Sequence, residues 1–382
     1  MQTAAVKKER FYQFDVARAF SILLLPLIHV FEELESRELL APDVASGWRI
    51  PILYLCIYAP SLFMILFGTN LKFAKEQAPA EYAKRGVHFL LIGVLLNVLR
   101  FGIPAVAGLI AGNTGPLLTF IVATLQSDIY DFIGLFLLLF ALMKKLRLSG
   151  GWMLIISLAL LTVSNYVNGF DTGSMLLNCF LGRFIYVDAN SCFPVMTWTV
   201  FPVIGYIFAE LYQNMRDERE RAKLHIFLIC AELALEFAFE ASFIKYGMDW
   251  KQFYISPANS YYTDIVNTVL MSCVAFGVFG VFYFIYRRFA GSPPVRFLMK
   301  ISGWIMPFYF IQWIIVGWLE GGLSIANAPE GSIGTAVFIL LMAGALIATV
   351  LLTFLFGDRI NDLLKYRPKS ARPLPEKTGE TA

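Results

Sequence analysis

Apolar residues in this chain arrive in runs of about 20, each closed by a short charged cluster, and that spacing decides what the chain can fold into. Ten runs are readable, at roughly 15–35, 48–71, 86–103, 128–143, 151–168, 195–213, 224–245, 262–286, 301–318 and 334–357. At about 1.5 Å per helical residue, each can cross about 30 Å of hydrocarbon. Composition agrees. The chain is 58% hydrophobic and 15% charged, whereas a soluble domain is about 45–50% apolar and about 25% charged. The expected fold is all-α: a polytopic membrane protein of about ten transmembrane helices, forming one integral-membrane domain over 1–358. A secreted disulfide scaffold, a nucleic-acid binder and a disordered chain are excluded. The first run does not read as a signal peptide, because Arg18 and His29 interrupt it and Phe31-Glu32-Glu33 follows with no small-residue cleavage site.

Lys and Arg set the orientation. If each run crosses once, 24 of the 31 positive residues fall on the side of the N-terminus, in clusters such as Lys7-Lys8-Arg10, Lys72 to Arg85, Lys144 to Arg147 and Arg359 to Lys377. The opposite side has six: Arg37, Arg49, Arg100, Arg183, Lys245 and Lys251. The positive-inside rule then expects both termini in the cytoplasm. The tail 359–382 is cytoplasmic on this reading and disordered from about 367, where Pro and charge dominate. Compact loops and the lack of organelle signals point to a bacterial cytoplasmic membrane.

Two outer segments, 104–127 and 169–194, mix Gly, Pro and Asn with hydrophobics and are expected to dip back as re-entrant or interfacial pieces. Cys179 and Cys192 share the second; a disulfide and two free thiols are both open there. No Cys/His spacing suggests a metal site.

The first run carries the sharpest feature. Titratable residues inside a membrane are costly and usually functional. In FDVARAFSILLLPLIHVFEE, Arg18 and His29 are 11 residues apart, which puts both on one helix face about 16 Å apart along the axis. Asp15 is placed to pair with Arg18, and Pro26 removes a backbone hydrogen bond below His29. The plain alternative is that Arg18 snorkels to the interface while His29 caps a helix end or pairs with Glu33. Asp128 and Asp131 open the fourth run on the His29 side. One of them could orient the imidazole as in a catalytic triad, with Asp131 one turn deeper, or both simply cap the helix. Asn97 is a candidate polar contact in the same space.

With its Arg, ten intervening residues and His just after an Asp, the first run resembles the transmembrane acyltransferases. These include the acyltransferase-3 proteins and the bacterial relatives of heparan-alpha-glucosaminide N-acetyltransferase. The resemblance continues through YAPSLFMILFGTNLKFAK (58–75), KRGVHFLLIGVLLNVLR (84–100), SDIYDFIGL (127–135) and FPVMTWTVFPVIGYIFAEL (193–211), so it covers roughly 11–211. Ala19 and Ala209 depart from the glycines usual in that family, which leaves the subfamily and the acceptor open. The resemblance implies transfer of an acyl group, most often acetyl, from cytoplasmic acyl-CoA to a hydroxyl or amine of an extracytoplasmic glycan or lipid-linked sugar. His29 maps onto the family's catalytic His and Arg18 onto its motif Arg, with acetyl-CoA as co-substrate and no metal. A neutral imidazole in an apolar site can take a proton from an attacking hydroxyl near pH 7. Coenzyme A carries several phosphates, which need clustered cations on the cytoplasmic side. Lys72, Lys84, Arg85 and His88 are the candidates, although ordinary topology would also place positive residues there. Acyl-CoA, the acceptor sugar and the bilayer are the expected partners, nucleic acid is not, and a homodimer is open.

A second reading comes from Glu232, Glu236 and Glu240, spaced i, i+4, i+8 in one run. Three acids on one face avoid lipid and could line the path of a secondary transporter or exporter. That class often shows inverted repeats, and no such pairing is visible. Aromatic stretches such as WIMPFYFIQWIIVGW (304–318) are expected to face lipid and the interfacial belts.

Overall fold

All ten apolar runs form helices in the computed structural model, which describes residues 11–125, 127–187, 192–215, 217–246 and 264–366. In chain order they are α1 (Tyr12–Ser36), α2 (Pro42–Phe73), α3 (Pro79–Ile110), α4 (Gly115–Leu125), α5 (Ile129–Lys145), α6 (Gly150–Tyr166), α7 (Met175–Leu181), α8 (Val195–Asn214), α9 (Glu218–Tyr246), α10 (Ile265–Phe289), α11 (Pro293–Ser302), α12 (Ile305–Ile325) and α13 (Thr335–Leu364). Among the described residues there is no strand; one isolated parallel bridge joins Leu40 to Ile333. Six helices (α1, α3, α8, α10, α12 and α13) are long and apolar enough to cross a membrane. The protein is an all-helical, multi-pass membrane protein. The N-terminal Lys7, Lys8 and Arg10 and the tail from 367 lie outside the described residues.

Local sequence sets the helix starts. Proline occupies the first turn of α2, α3 and α11, where its missing N–H removes no helix bond. Asp264 caps α10 by accepting from the Asn267 N–H at 2.7 Å, and Asp128 and Asp131 form a reciprocal capping box at α5. α1 runs unbroken through Pro26.

α1 is the central post. It packs on α2, α10, α11, α12 and α13, and 72% of its apolar window is buried inside the protein, against 28% for α13 on the periphery. α2 crosses α8 so closely that a Cβ at Gly205 would sit 2.0 Å from the Ile65 carbonyl oxygen, so this contact exists only with glycine there. At the His29 end the α1–α2 turn is tied to the α12–α13 turn, with Ala41 donating to the Ile333 carbonyl and Ile333 to the Leu39 carbonyl, both at 3.0 Å.

The outer segments differ from their expected form. The third helix does not stop near 103. A π-helical turn over Val98–Gly102 shifts the hydrogen-bond register, and the helix continues through Pro104 to Ile110. A turn at Gly112 (φ 75°) then sends α4 back along that π turn. Among the described residues of the second segment only α7 is helical. Asp171 accepts from Asn178 at 2.6 Å and from the Gly173 N–H at 2.8 Å, bonds that hold its carboxyl below the usual carboxylate range. Cys179 and Cys192 are both free thiols.

Candidate active site

His29 is buried on α1, and its ring is fixed by α12 on three sides. Nδ1 lies 3.1 Å from Oε1 of Gln312, the imidazole stacks on Trp313 at 3.8 Å with planes 15° apart, and Tyr309 presents its edge at 6.5 Å. The rest of the ring borders a narrow, mostly apolar slot that follows α1 from Ser21 to Glu32, about 16 Å of helix axis. Leu25, Ala59, Phe63, Ile129, Phe193 and Tyr309 line it. The arrangement offers one imidazole nitrogen in a space largely free of polar groups, where water competes poorly for a proton.

Behind His29 stands a charged layer. The Arg100 guanidinium lies 3.5 Å from the Trp313 ring centroid. Two groups this close cannot share one face, so Trp313 is sandwiched between imidazole and guanidinium. Arg100 also pairs with Glu33, one turn beyond His29, and the π turn of α3 is what carries it inward. α12 makes room through Gly317, where a Cβ would meet Arg100 Cγ at 2.3 Å. Arg37 pairs with the buried Glu320 of α12 and donates to Thr119 Oγ1 of α4 at 3.1 Å. These two ion pairs border a cavity of about 470 Å³ walled by Leu118, Thr119 and Val122.

The acids of the fourth run serve other partners. Asp128 accepts from the Tyr309 hydroxyl and from the Ile129 N–H at 2.5 Å. Asp131 accepts from the Asp128 N–H at 3.2 Å and lies 3.7 Å from Arg183. Neither carboxylate bonds to His29; Asp128 reaches it only through Tyr309. Asn97 is buried where α3 enters its π turn. Arg18 bonds Asp15 and Ser302 Oγ, each at 2.8 Å, which ties α1 to the α11–α12 junction rather than to the slot. Glu33 is the partner of Arg100, not of His29.

At the basic end the candidate cations divide into two groups. Lys72 bonds Glu210 at 2.7 Å and shares a cavity of about 420 Å³ with Lys144, Glu76, Tyr206 and Gln213; Lys144 pairs with Glu76. Lys84, Arg85 and His88 lie elsewhere. Lys84 bonds Glu81 at 2.6 Å, and the His88 Nε2 lies 2.8 Å from the Leu364 carbonyl oxygen. Tyr366 donates to Glu81 at 2.9 Å, and its phenol is held above its ordinary range, by desolvation first and then by that bond. Arg85 lies over Phe89, 5.7 Å from the ring centroid.

The glutamates of α9 are peripheral, because α9 packs chiefly along α10. Gly277 of α10 makes space for Glu232, whose Cγ would lie 2.8 Å from a Cβ there. The side chain of Glu240 lies outside the described residues. Among the described residues no group of three or more His, Cys, Asp or Glu is arranged to hold a metal ion.

The sequence profile of the heparan-alpha-glucosaminide N-acetyltransferase catalytic family matches residues 10–246, more than half of the chain. The chain belongs to that family. No curated protein and no solved structure matches it. Membership makes it a membrane protein of an acetyltransferase family, and the matched stretch includes Arg18, His29, Arg100, Asp128 and Asp131. It ends before α12, which supplies Tyr309, Gln312, Trp313 and Glu320. No local spacing pattern marks these four, and the aromatic stretch 304–318 reads as lipid packing. That expectation is corrected in half: Tyr309 and Trp313 are buried against His29, while Trp318 is exposed. A glutamine in the middle of an apolar run was the available signal, because a lone amide is costly in a membrane helix unless it has a partner.

Proposed function

We propose that the protein transfers an acetyl group from acetyl-CoA to a hydroxyl or amine of a sugar on the opposite side of the membrane, with His29 as general base. The observation that carries this reading is His29 itself: one buried imidazole at the end of a narrow apolar slot, on the helix that begins the family match. The pantetheine arm of the donor would follow α1 toward His29, and its phosphates would meet Lys72 and Lys144 in the basic-end cavity or Lys84, Arg85 and His88 nearer α13. Charge counting puts that end in the cytoplasm and His29 toward the outer face. The acceptor would approach past Glu32, with Asn97 and Asp128 at the margin of its site.

Donor and acceptor are bound together in this mechanism. The acceptor heteroatom attacks the thioester carbonyl carbon while the unprotonated ring nitrogen of His29 removes its proton. The carbon–sulfur bond breaks, the ester or amide forms, and coenzyme A leaves as the thiol once it regains a proton. Direct transfer fits a site in which, among the described residues, no Ser or Cys is bonded to or stacked on His29. Arg18 and Asp131 act at a distance, by setting the tilt of α1 and the start of α5.

The test is acetyl transfer by the purified protein in liposomes, with acetyl-CoA on the basic side and glucosamine on the other. His29→Ala is expected to fold and to lose turnover by about 10²-fold or more, the contribution of a positioned general base. Wild-type turnover in His29→Ala would contradict the assignment, and a stable acetyl-enzyme formed from donor alone would contradict direct transfer.

A further inference from the structure

We infer that Gln312 is the positioning residue that holds His29 in the Nδ1–H tautomer, so that the Nε2 lone pair is the one offered to the slot. The inference rests on the reading of His29 as the base and adds the device that makes it one. Gln312 is fully buried on α12 and places its carbonyl oxygen 3.1 Å from Nδ1. An amide oxygen only accepts, so with that oxygen turned to the ring Nδ1 carries the proton. Stacking on Trp313 and the edge of Tyr309 stop the ring from rotating to exchange its nitrogens. Among the described residues the buried Gln312 amide NH₂ has no hydrogen-bond partner. Buried donors are rarely left so, and a protein keeps one where another need fixes the side chain. Here that need is the oxygen at His29.

An amide also differs from the carboxylate that orients histidine in a triad. It aligns the ring while stabilising the imidazolium less than a carboxylate would. The neighbouring charges agree with a base kept neutral. From α3, Arg100 lies behind Trp313; on α1, Glu33 is taken by Arg100; from α5, Asp128 is engaged by Tyr309. Among the described side chains α2 contributes Ala59, Pro60 and Phe63, and on α1 Glu32, three residues beyond His29, is the carboxylate that also lines the slot.

The chain has three histidines, so ring-nitrogen NMR of the ¹⁵N-histidine-labelled full-length protein is simple to assign, the His29 signals being those lost in His29→Asn. The expected wild-type spectrum shows a protonated Nδ1 and a bare Nε2. Gln312→Leu should mix the tautomers and lower kcat by about 10²-fold, leaving the KM for acetyl-CoA within about twofold. Gln312→Glu preserves shape should the leucine variant fail to fold. Its carboxylate stabilises the imidazolium, so more base is protonated at a given pH and the acid limb of the kcat profile moves to higher pH. A wild-type Nε2–H tautomer, or an unchanged tautomer and kcat in Gln312→Leu, would overturn the inference. A protein that shows the Gln312-dependent tautomer but no acetyl transfer would instead overturn the proposed reaction.

Discussion

The two ends of the helical bundle handle charge in opposite ways. Beside His29 the inward-facing charges are largely buried and paired: Arg100 with Glu33, Arg37 with the buried Glu320, and Asp128 with the Tyr309 hydroxyl. At the basic end they are many and more exposed: Lys84 is 63% exposed at its side chain and Glu76 73%. A buried pair is costly to break because it strands a charge, whereas a surface pair contributes about 0–1 kcal/mol and can be exchanged for a ligand's phosphate. One end is built to hold a geometry and the other to release its partners.

The largest expected difference between them is catalytic. Loss of the imidazole in His29→Ala should remove turnover, whereas removal of basic-end lysines should change only how much donor is needed. Next in size is folding. Arg100→Leu strands Glu33 and uncovers Trp313, and should cost about 3–5 kcal/mol. This is readable as a lower Tm in detergent, with recovery in Arg100→Leu/Glu33→Leu. An unchanged Tm in the single variant would remove the contrast between the two ends. Smaller again, Lys72→Ala/Lys144→Ala should raise the KM for acetyl-CoA about tenfold, on the order of one charge-assisted bond, with kcat intact. If Lys84→Ala/Arg85→Ala has the greater effect, the donor phosphates sit beside α13 instead. The smallest effect belongs to Glu232→Gln on the peripheral α9, which should leave acetyl transfer within twofold; abolished turnover would place α9 in the mechanism.

The sequence made the fold legible because hydrocarbon imposes a length on every crossing, and all ten apolar runs are helices. It also marked His29, since a titratable residue in an apolar run stands out. The surroundings of His29 did not stand out. Arg100 sits in what reads as a helix end, and only the π turn brings it inward. Gln312 and Trp313 lie more than 280 residues downstream of His29, joined to it by packing that no local pattern records. One hint was present. Arg37, Arg100 and Arg183 are among the few positive residues on the outer side, and each proves to be held by a carboxylate, Glu320, Glu33 and Asp131 respectively. Asp131 looked like a partner for the imidazole because it lies one turn into the helix, but that position also closes the capping box with Asp128, and the local bond won.

Calorimetric titration of the detergent-purified protein with acetyl-CoA tests the central claim most directly, because a donor site is what separates an acetyltransferase from a transporter of sugars or ions. Saturable binding, weakened in Lys72→Ala/Lys144→Ala and retained in His29→Ala, is the predicted result. No binding of acetyl-CoA or any longer acyl-CoA would contradict the account and turn attention to Glu232 and Glu236 as the elements of a transport path.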